Sequence, residues 1–104
     1  MIRHIVLIRF DPNVGEDAIS EKWADLYSME GQIPGILSIM AGRSESPEHI
    51  ERGFMHGFTI DFEDWPALAA YQDHPKHKRF GTWLIDHAVD GVDGILVFDL
   101  PMSQ

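Results

Sequence analysis

The apolar and polar residues alternate with period two in four short segments and recur every three or four residues between them. Alternation is typical of strands, whereas a spacing of three or four is typical of helices. The pattern predicts strands at residues 2–10, 36–43, 54–62 and 95–100. It predicts one helix over residues 16–32 and a second helical unit between Asp64 and Gly91. The predicted order of elements is therefore βαββαβ.

The second helical unit is interrupted at His74 and Pro75. Proline lacks an amide hydrogen and clashes with the preceding turn inside a helix, but it fits the first helical position. We therefore predict that one helix ends at His74 and another begins at Pro75, with His74 in the capping position. Asp64 is predicted to cap the first part of the unit.

The βαββαβ order indicates an α+β, ferredoxin-like fold. Its four strands would form an antiparallel sheet, and right-handed crossovers would place both helical units on one face. A chain of 104 residues is expected to form one domain, spanning residues 1–104.

The strands carry apolar side chains on both faces, although the helices can cover only one of them. The apolar residues assigned to the second face are Ile5, Leu7, Met55, Leu96, Phe98 and Leu100. An uncovered apolar face of this kind favours association with another chain. We therefore expect a homodimer through the open sheet face, with C2 symmetry as the commonest arrangement.

Composition narrows the classes of partner. With 17 acidic and 8 basic residues, the chain has a formal net charge of −9, which argues against nucleic acid and anionic membranes as partners. The absence of cysteine excludes disulfides, thiolate metal sites and a thiol nucleophile. No apolar run approaches the length of a membrane span, so we expect a cytoplasmic protein without a membrane partner.

Two histidines are predicted to point from the sheet towards the helices. His4 shares a strand face with Val6, and His56 shares one with Phe58. Tyr71 and His77, on either side of the helix break, would approach the same space from above. The sequence therefore predicts four polar groups in an apolar pocket suited to a small hydrophobic or aromatic ligand. The predicted pocket walls are Val6, Ile8, Phe58, Phe80, Gly81 and Trp83.

Each of these residues also has an ordinary structural explanation. A single histidine on an apolar strand face is commonly a core residue with one hydrogen bond. Tyr71 is compatible with an amphipathic core position, and Trp83 with plain core packing. The basic residues Lys76, Lys78 and Arg79 are most simply a solvated helix face.

A metal site is a further alternative. His74 and His77 form a His-x-x-His pair, and His4 or His56 would supply additional ligands. The chain has no His-Glu-x-x-His motif and no cysteine to support it. We therefore expect no metal and no cofactor.

Five stretches of the chain carry a family resemblance: residues 1–7, 33–36, 53–56, 61–63 and 71–80. The most specific is a tyrosine followed by His-Pro-x-His and a phenylalanine, here Tyr71, His74, Pro75, His77 and Phe80. Together the stretches resemble the stress-responsive dimeric A/B barrel (Dabb) family. The resemblance implies a ferredoxin-like protomer that pairs through its sheet into a dimeric α+β barrel.

One member of that family is a plant polyketide cyclase, in which a tyrosine and a histidine of this motif perform an aldol-type ring closure. The matching positions are Tyr71 and His77, and the additional pocket histidines match His4 and His56. In the first helix, Leu26 stands where a cyclase has a pocket tyrosine. The resemblance implies cofactor-independent acid–base catalysis. In such a reaction His77 is the natural base, and Tyr71 would either donate to the substrate oxygen or orient His77. Other family members are stress-associated proteins, so a non-catalytic ligand-binding dimer is the alternative.

Overall fold

The computed structural model describes residues 1–103. These residues form β1 (Ile2–Ile8), α1 (Glu16–Tyr27), β2 (Ile36–Arg43), β3 (His56–Phe62), α2 (Trp65–Asp73), α3 (Pro75–His87) and β4 (Ile95–Pro101). The short 3-10 helix Gly91–Gly94 precedes β4. The strands pair antiparallel in the order β2-β3-β1-β4. The predicted ferredoxin-like α+β fold is confirmed.

Two strands are shorter than predicted because their outer residues bond to turns. The Arg9 amide donates to the Gly94 carbonyl, so β1 ends at Ile8 rather than at residue 10. The Phe54 amide donates to the Glu51 carbonyl, so β3 begins at His56 rather than at residue 54.

The first helix also ends early, at Tyr27 rather than near residue 32. The Met29 amide donates to the Leu26 carbonyl, three residues back, which replaces helical bonding with tight turns. Met29 and Ile33 nevertheless remain buried. Their spacing therefore reflected core packing and not a continuing helix.

Both predicted helix caps are present. Asp64 Oδ1 accepts a hydrogen bond from the Ala67 amide at 2.9 Å, and His74 Nδ1 accepts one from the Lys76 amide at 3.1 Å. The chain turns at His74, between α2 and α3. Because this corner is fixed by a cap and a proline, Tyr71 and His77 are held on its two sides.

The start of β2 approaches α2 closely. Gly35 has φ of +90°, and a Cβ at this position would clash with the side chain of Ala67. Glycine is required there because it tolerates positive φ and occupies the least space. A bulge then shifts the register between Ile36 and Ser38. Leu37 is consequently exposed while Ile39 is buried, although strict alternation would put both side chains on the same face.

The helices cover one face of the sheet and leave the other open. On the open face, Phe98 is paired opposite Ile5 and Leu96 opposite Leu7. Phe98 is 54% exposed, and Leu96, Leu100 and Met40 are also exposed.

Within residues 1–103, no helix has the length and apolar character needed to cross a bilayer. After Pro101, the Met102 amide donates to the Met1 carbonyl at 2.9 Å. Gln104 lies outside the described residues.

Candidate functional site

A cavity of about 250 Å³ lies between the covered face of the sheet and the α2–α3 corner. Its lining residues are His4, Val6, Phe58, Tyr71, Gln72, His77, Phe80, Gly81, Leu84, Ile95 and Val97. A Cβ at Gly81 would meet no atom within 4 Å, so the missing side chain adds to the open space. The structure therefore brings together most of the residues that the sequence predicted for a pocket.

Three predicted residues lie outside this cavity: Ile8, His56 and Trp83. Ile8 and His56 pair with each other, whereas His4 pairs with Ile60, four residues further along β3. Four residues span about 13 Å along a strand, and this separation keeps His56 out of the cavity.

His56 has partners of its own near the end of the strand. Its Nε2 lies 2.9 Å from Glu16 Oε1, and its ring packs 5.2 Å from that of Phe10. Trp83 packs against Phe10 and stacks on His87, with ring centroids 4.2 Å apart. Both side chains therefore make their contacts away from the α2–α3 corner.

Tyr71 is almost fully buried, at 1% exposure. Its ring packs against Phe62 and against His77, with centroid distances of 5.1 and 4.4 Å. Its hydroxyl has no hydrogen-bond partner within residues 1–103, and every fully buried side-chain polar atom there is satisfied, so the hydroxyl must reach the cavity. Burial raises the pKa of Tyr71 well above its ordinary value. The group is therefore a protonated hydrogen-bond donor at neutral pH.

His77 is held by the backbone just before the corner. Its Nδ1 lies 3.0 Å from the Gln72 carbonyl oxygen. A carbonyl only accepts, so Nδ1 carries the proton and Nε2 of the neutral ring has a free lone pair. Burial lowers the pKa of His77; the Gln72 carbonyl opposes this effect, and the charges of His4 and Lys78 add to it. His77 is therefore a neutral base at pH 7.

His4 is oriented by a residue that the sequence reasoning missed. Its Nδ1 lies 2.5 Å from Asp99 Oδ1, and the two residues are paired across β1 and β4. The carboxylate accepts from Nδ1, which directs the remaining nitrogen away from Asp99. Asp99 follows Ile95 and Val97 on the covered face of β4. A single acid among these apolar residues was the feature of the sequence that could have identified it as a partner for His4.

The His-x-x-His pair uses its two Nδ1 atoms on backbone groups of the protein. His74 Nδ1 is used as a helix cap, and His77 Nδ1 is bound to a carbonyl. Among residues 1–103, no three His, Cys, Asp or Glu side chains are arranged to hold a metal ion.

The cavity combines one protonated hydroxyl and two imidazoles with apolar walls. Cavities of about 150 Å³ can hold benzene, so about 250 Å³ accommodates a single substituted ring. Val97 is 55% exposed on the edge strand, which indicates that the cavity opens beside β4. The arrangement is suited to polarising a carbonyl and accepting a proton near neutral pH.

Solved structures of similar fold provide one comparison. A dimeric ferredoxin-like protein of unknown function from Jannaschia sp. CCS1 has a TM-score of 0.90 at 33% identity, covering 97% of this chain and 98% of that one. The hydroxynitrile lyase from Passiflora edulis has a TM-score of 0.84, covering 99% of this chain and 94% of that one. Its identity is 19%, so this likeness shows the fold alone.

Sequence comparisons agree with the fold. The stress-response A/B barrel domain-containing protein HS1 of Arabidopsis thaliana is 28% identical over 98 residues, which cover 94% of this chain and 86% of that protein. The model of the Stress responsive A/B Barrel Domain family, Dabb, matches residues 2–102. The chain therefore belongs to the Dabb family of stress-responsive A/B barrel domains.

Proposed function

We propose that the cavity binds a small hydrophobic or aromatic carbonyl compound and that Tyr71 and His77 catalyse aldol-type chemistry on it without a cofactor. One observation carries the proposal. A buried, protonated tyrosine whose hydroxyl has no partner within residues 1–103 lies beside a neutral histidine with a free Nε2, their rings 4.4 Å apart on the same apolar cavity. Structural histidines and tyrosines normally use their polar atoms on protein partners.

In the proposed reaction, His77 takes up a proton and later returns it, while Tyr71 donates a hydrogen bond. His77 Nε2 removes a proton from the carbon alpha to a carbonyl, and the Tyr71 hydroxyl donates a hydrogen bond to the enolate oxygen. The carbanion attacks a second carbonyl of the same molecule, which closes a ring and forms an alkoxide. The His77 imidazolium then returns the proton to that alkoxide. No electrons are gained or lost, so no redox partner is needed.

The motif around the corner resembles that of olivetolic acid cyclase, which suggests a poly-β-keto thioester as the substrate class. The cavity volume supports entry of one prospective ring, with the remaining chain leaving beside Val97. Leu26 is fully buried and does not line the cavity. This chain therefore lacks a polar group from α1 and would bind a less polar ring than a cyclase with tyrosine there.

The quaternary state belongs to the same proposal. We infer a homodimer through the open sheet face, since the similar Jannaschia protein is described as dimeric. The face presents Leu96, Phe98 and Leu100, and its main charges neutralise each other within the protomer. Arg3 contacts both carboxylate oxygens of Asp61, at 2.9 and 3.0 Å. Pairing lowers the cost of burying these two charges, because a buried charge without a partner is the most costly case.

The decisive experiment measures turnover of a poly-β-keto thioester by Tyr71→Phe and His77→Ala. We expect each variant to lose about 100-fold or more, as is typical when a positioned acid or base is removed. Tyr27→Phe and His49→Ala are matched controls because both residues lie outside the cavity, and they should retain activity. Turnover by Tyr71→Phe and His77→Ala equal to that of the controls would eliminate the catalytic pair.

A second candidate is a non-catalytic, stress-associated ligand-binding protein, which the stress-response name of the Arabidopsis relative favours. It requires the same cavity but no proton transfer. Native mass spectrometry of the purified protein distinguishes the two. A retained hydrophobic molecule that is not converted during incubation supports binding alone, whereas a new product mass supports catalysis.

A further inference from the structure

A second cavity, of about 260 Å³, lies between α1 and α3. Its lining residues are Lys22, Asp25, Ser28, Met29, Lys76, Arg79 and Phe80. We call it the basic cavity. It shares only Phe80 with the apolar cavity described above, so the two are separate spaces on either side of one ring.

The charge of this cavity is opposite to that of the chain. Three cations, Lys22, Lys76 and Arg79, and one anion, Asp25, give it a net charge of +2. The chain as a whole carries −9 and has 8 basic residues. Three of those 8 therefore line one small cavity.

Lys22 makes one contact with α3 and one within its own helix. Its Nζ lies 5.3 Å from the ring centre of Trp83 and 3.4 Å from Asp25 Oδ2. Asp25 therefore forms its ion pair with a lysine of its own helix. Lys76 and Arg79 form no ion pair within residues 1–103. Lys76 and Arg79 thus line the cavity without an ion-pair partner among the described residues.

The position of Lys76 is electrostatically unfavourable. Lys76 is the second residue of α3, and the first turn of that helix contains no acid. A cation at this end opposes the helix dipole, whereas α1 begins in the favourable way with Glu16 and Asp17. A bound anion would relieve both the dipole conflict and the mutual repulsion of the lysine and arginine.

We infer that the basic cavity binds the phosphate group of a small molecule. An arginine offers a planar fork that matches phosphate oxygens, and two lysines supply further point charges for a doubly charged anion. The cavity lies in the helix layer and not on the open sheet face, so it stays accessible in the proposed dimer. The inference does not depend on Tyr71 or His77, and its failure would leave the proposed reaction untouched.

The test is a titration of inorganic phosphate and of phenyl phosphate at constant ionic strength, followed by calorimetry and by amide chemical shifts. We expect saturable binding, with shifts at Ser28, Lys76 and Arg79. Lys76→Gln and Arg79→Gln should each weaken binding about 10-fold or more, since each removes a charge-assisted hydrogen bond. Lys78→Gln removes the same charge from the same helix outside the cavity, and it should weaken binding less than about threefold because exposed charges are screened.

The two probes distinguish the source of the phosphate. Tighter binding of phenyl phosphate indicates a phosphate carried by an organic ligand, whereas equal binding indicates free phosphate. The inference is overturned if neither probe saturates at millimolar concentration, or if Lys78→Gln weakens binding as much as Lys76→Gln does. Circular dichroism of each variant ensures that lost binding is not lost folding.

Discussion

His4 in β1 donates from Nδ1 to Asp99 Oδ1 in β4 over 2.5 Å. The residues face each other in the antiparallel register, so the bond joins the central strand to an edge strand directly beneath the cavity. The same pairing that builds the sheet therefore also fixes the orientation of a cavity histidine.

We expect Asp99→Ala to lower the free energy of unfolding by about 1–3 kcal/mol. The substitution leaves the buried Nδ1 of His4 without an acceptor, and an unpaired buried donor costs about that much. Urea denaturation measures the change, with Asp93→Ala as a control because Asp93 is exposed and forms no side-chain hydrogen bond to His4. Equal losses in the two variants would show that the His4 pairing contributes nothing specific.

Tyr71→Phe should leave the free energy of unfolding within about 0.5 kcal/mol of wild type. The phenyl ring keeps its contacts with Phe62 and His77, and the deleted hydroxyl has no protein partner within residues 1–103. By contrast, Tyr71→Ala removes the buried ring and should cost about 3–5 kcal/mol. A large loss in Tyr71→Phe, measured by urea denaturation, would mean that the hydroxyl serves the fold and not a ligand.

His77 should make the protein less stable as the pH falls below neutrality. Its pKa in the folded state is lowered from 6.5, so below that pH the unfolded chain binds a proton that the folded protein does not. The free energy of unfolding therefore falls as the pH drops through 6.5 and levels off below the folded pKa. The difference between wild type and His77→Gln isolates this contribution.

An NMR titration of the His77 ring tests the same point directly. We expect a midpoint below 6.5, and the acid limb of any kcat profile should follow it because only the neutral ring accepts a proton. A midpoint above 6.5 would contradict the assignment of His77 as a neutral base.

Phe98→Glu should dissociate the proposed dimer. Phe98 lies opposite Ile5 on the open sheet face, and burying a carboxylate there would cost about 2 kcal/mol or more. Sedimentation velocity measures the monomer fraction at micromolar concentration. Ile85→Glu introduces the same charge at an exposed apolar residue of α3 and should not change the mass. A dimeric Phe98→Glu variant would exclude the open face as the interface.

Several predicted features of the fold depend only on residues that are close in the sequence. The Asp64 and His74 caps and the break at Pro75 are determined by nearby residues, and all three are confirmed. The predicted end of β1 was wrong because the Arg9 amide bonds to Gly94, in a turn that is distant in the sequence. The exposure of Leu37 has a similar cause, because a bulge in one strand becomes visible only when the strand is paired with its partner.

The sequence by itself determined the order of elements, the corner at His74 and the residue types available for chemistry, since periodicity, proline geometry and capping act over a few residues. Only the tertiary structure decided which of those residues meet. Strand register places His4 beside Asp99 and leaves His56 about 13 Å further along the sheet with Glu16. Register depends on contacts between residues that are distant in the chain, and for that reason no local pattern could separate these two histidines.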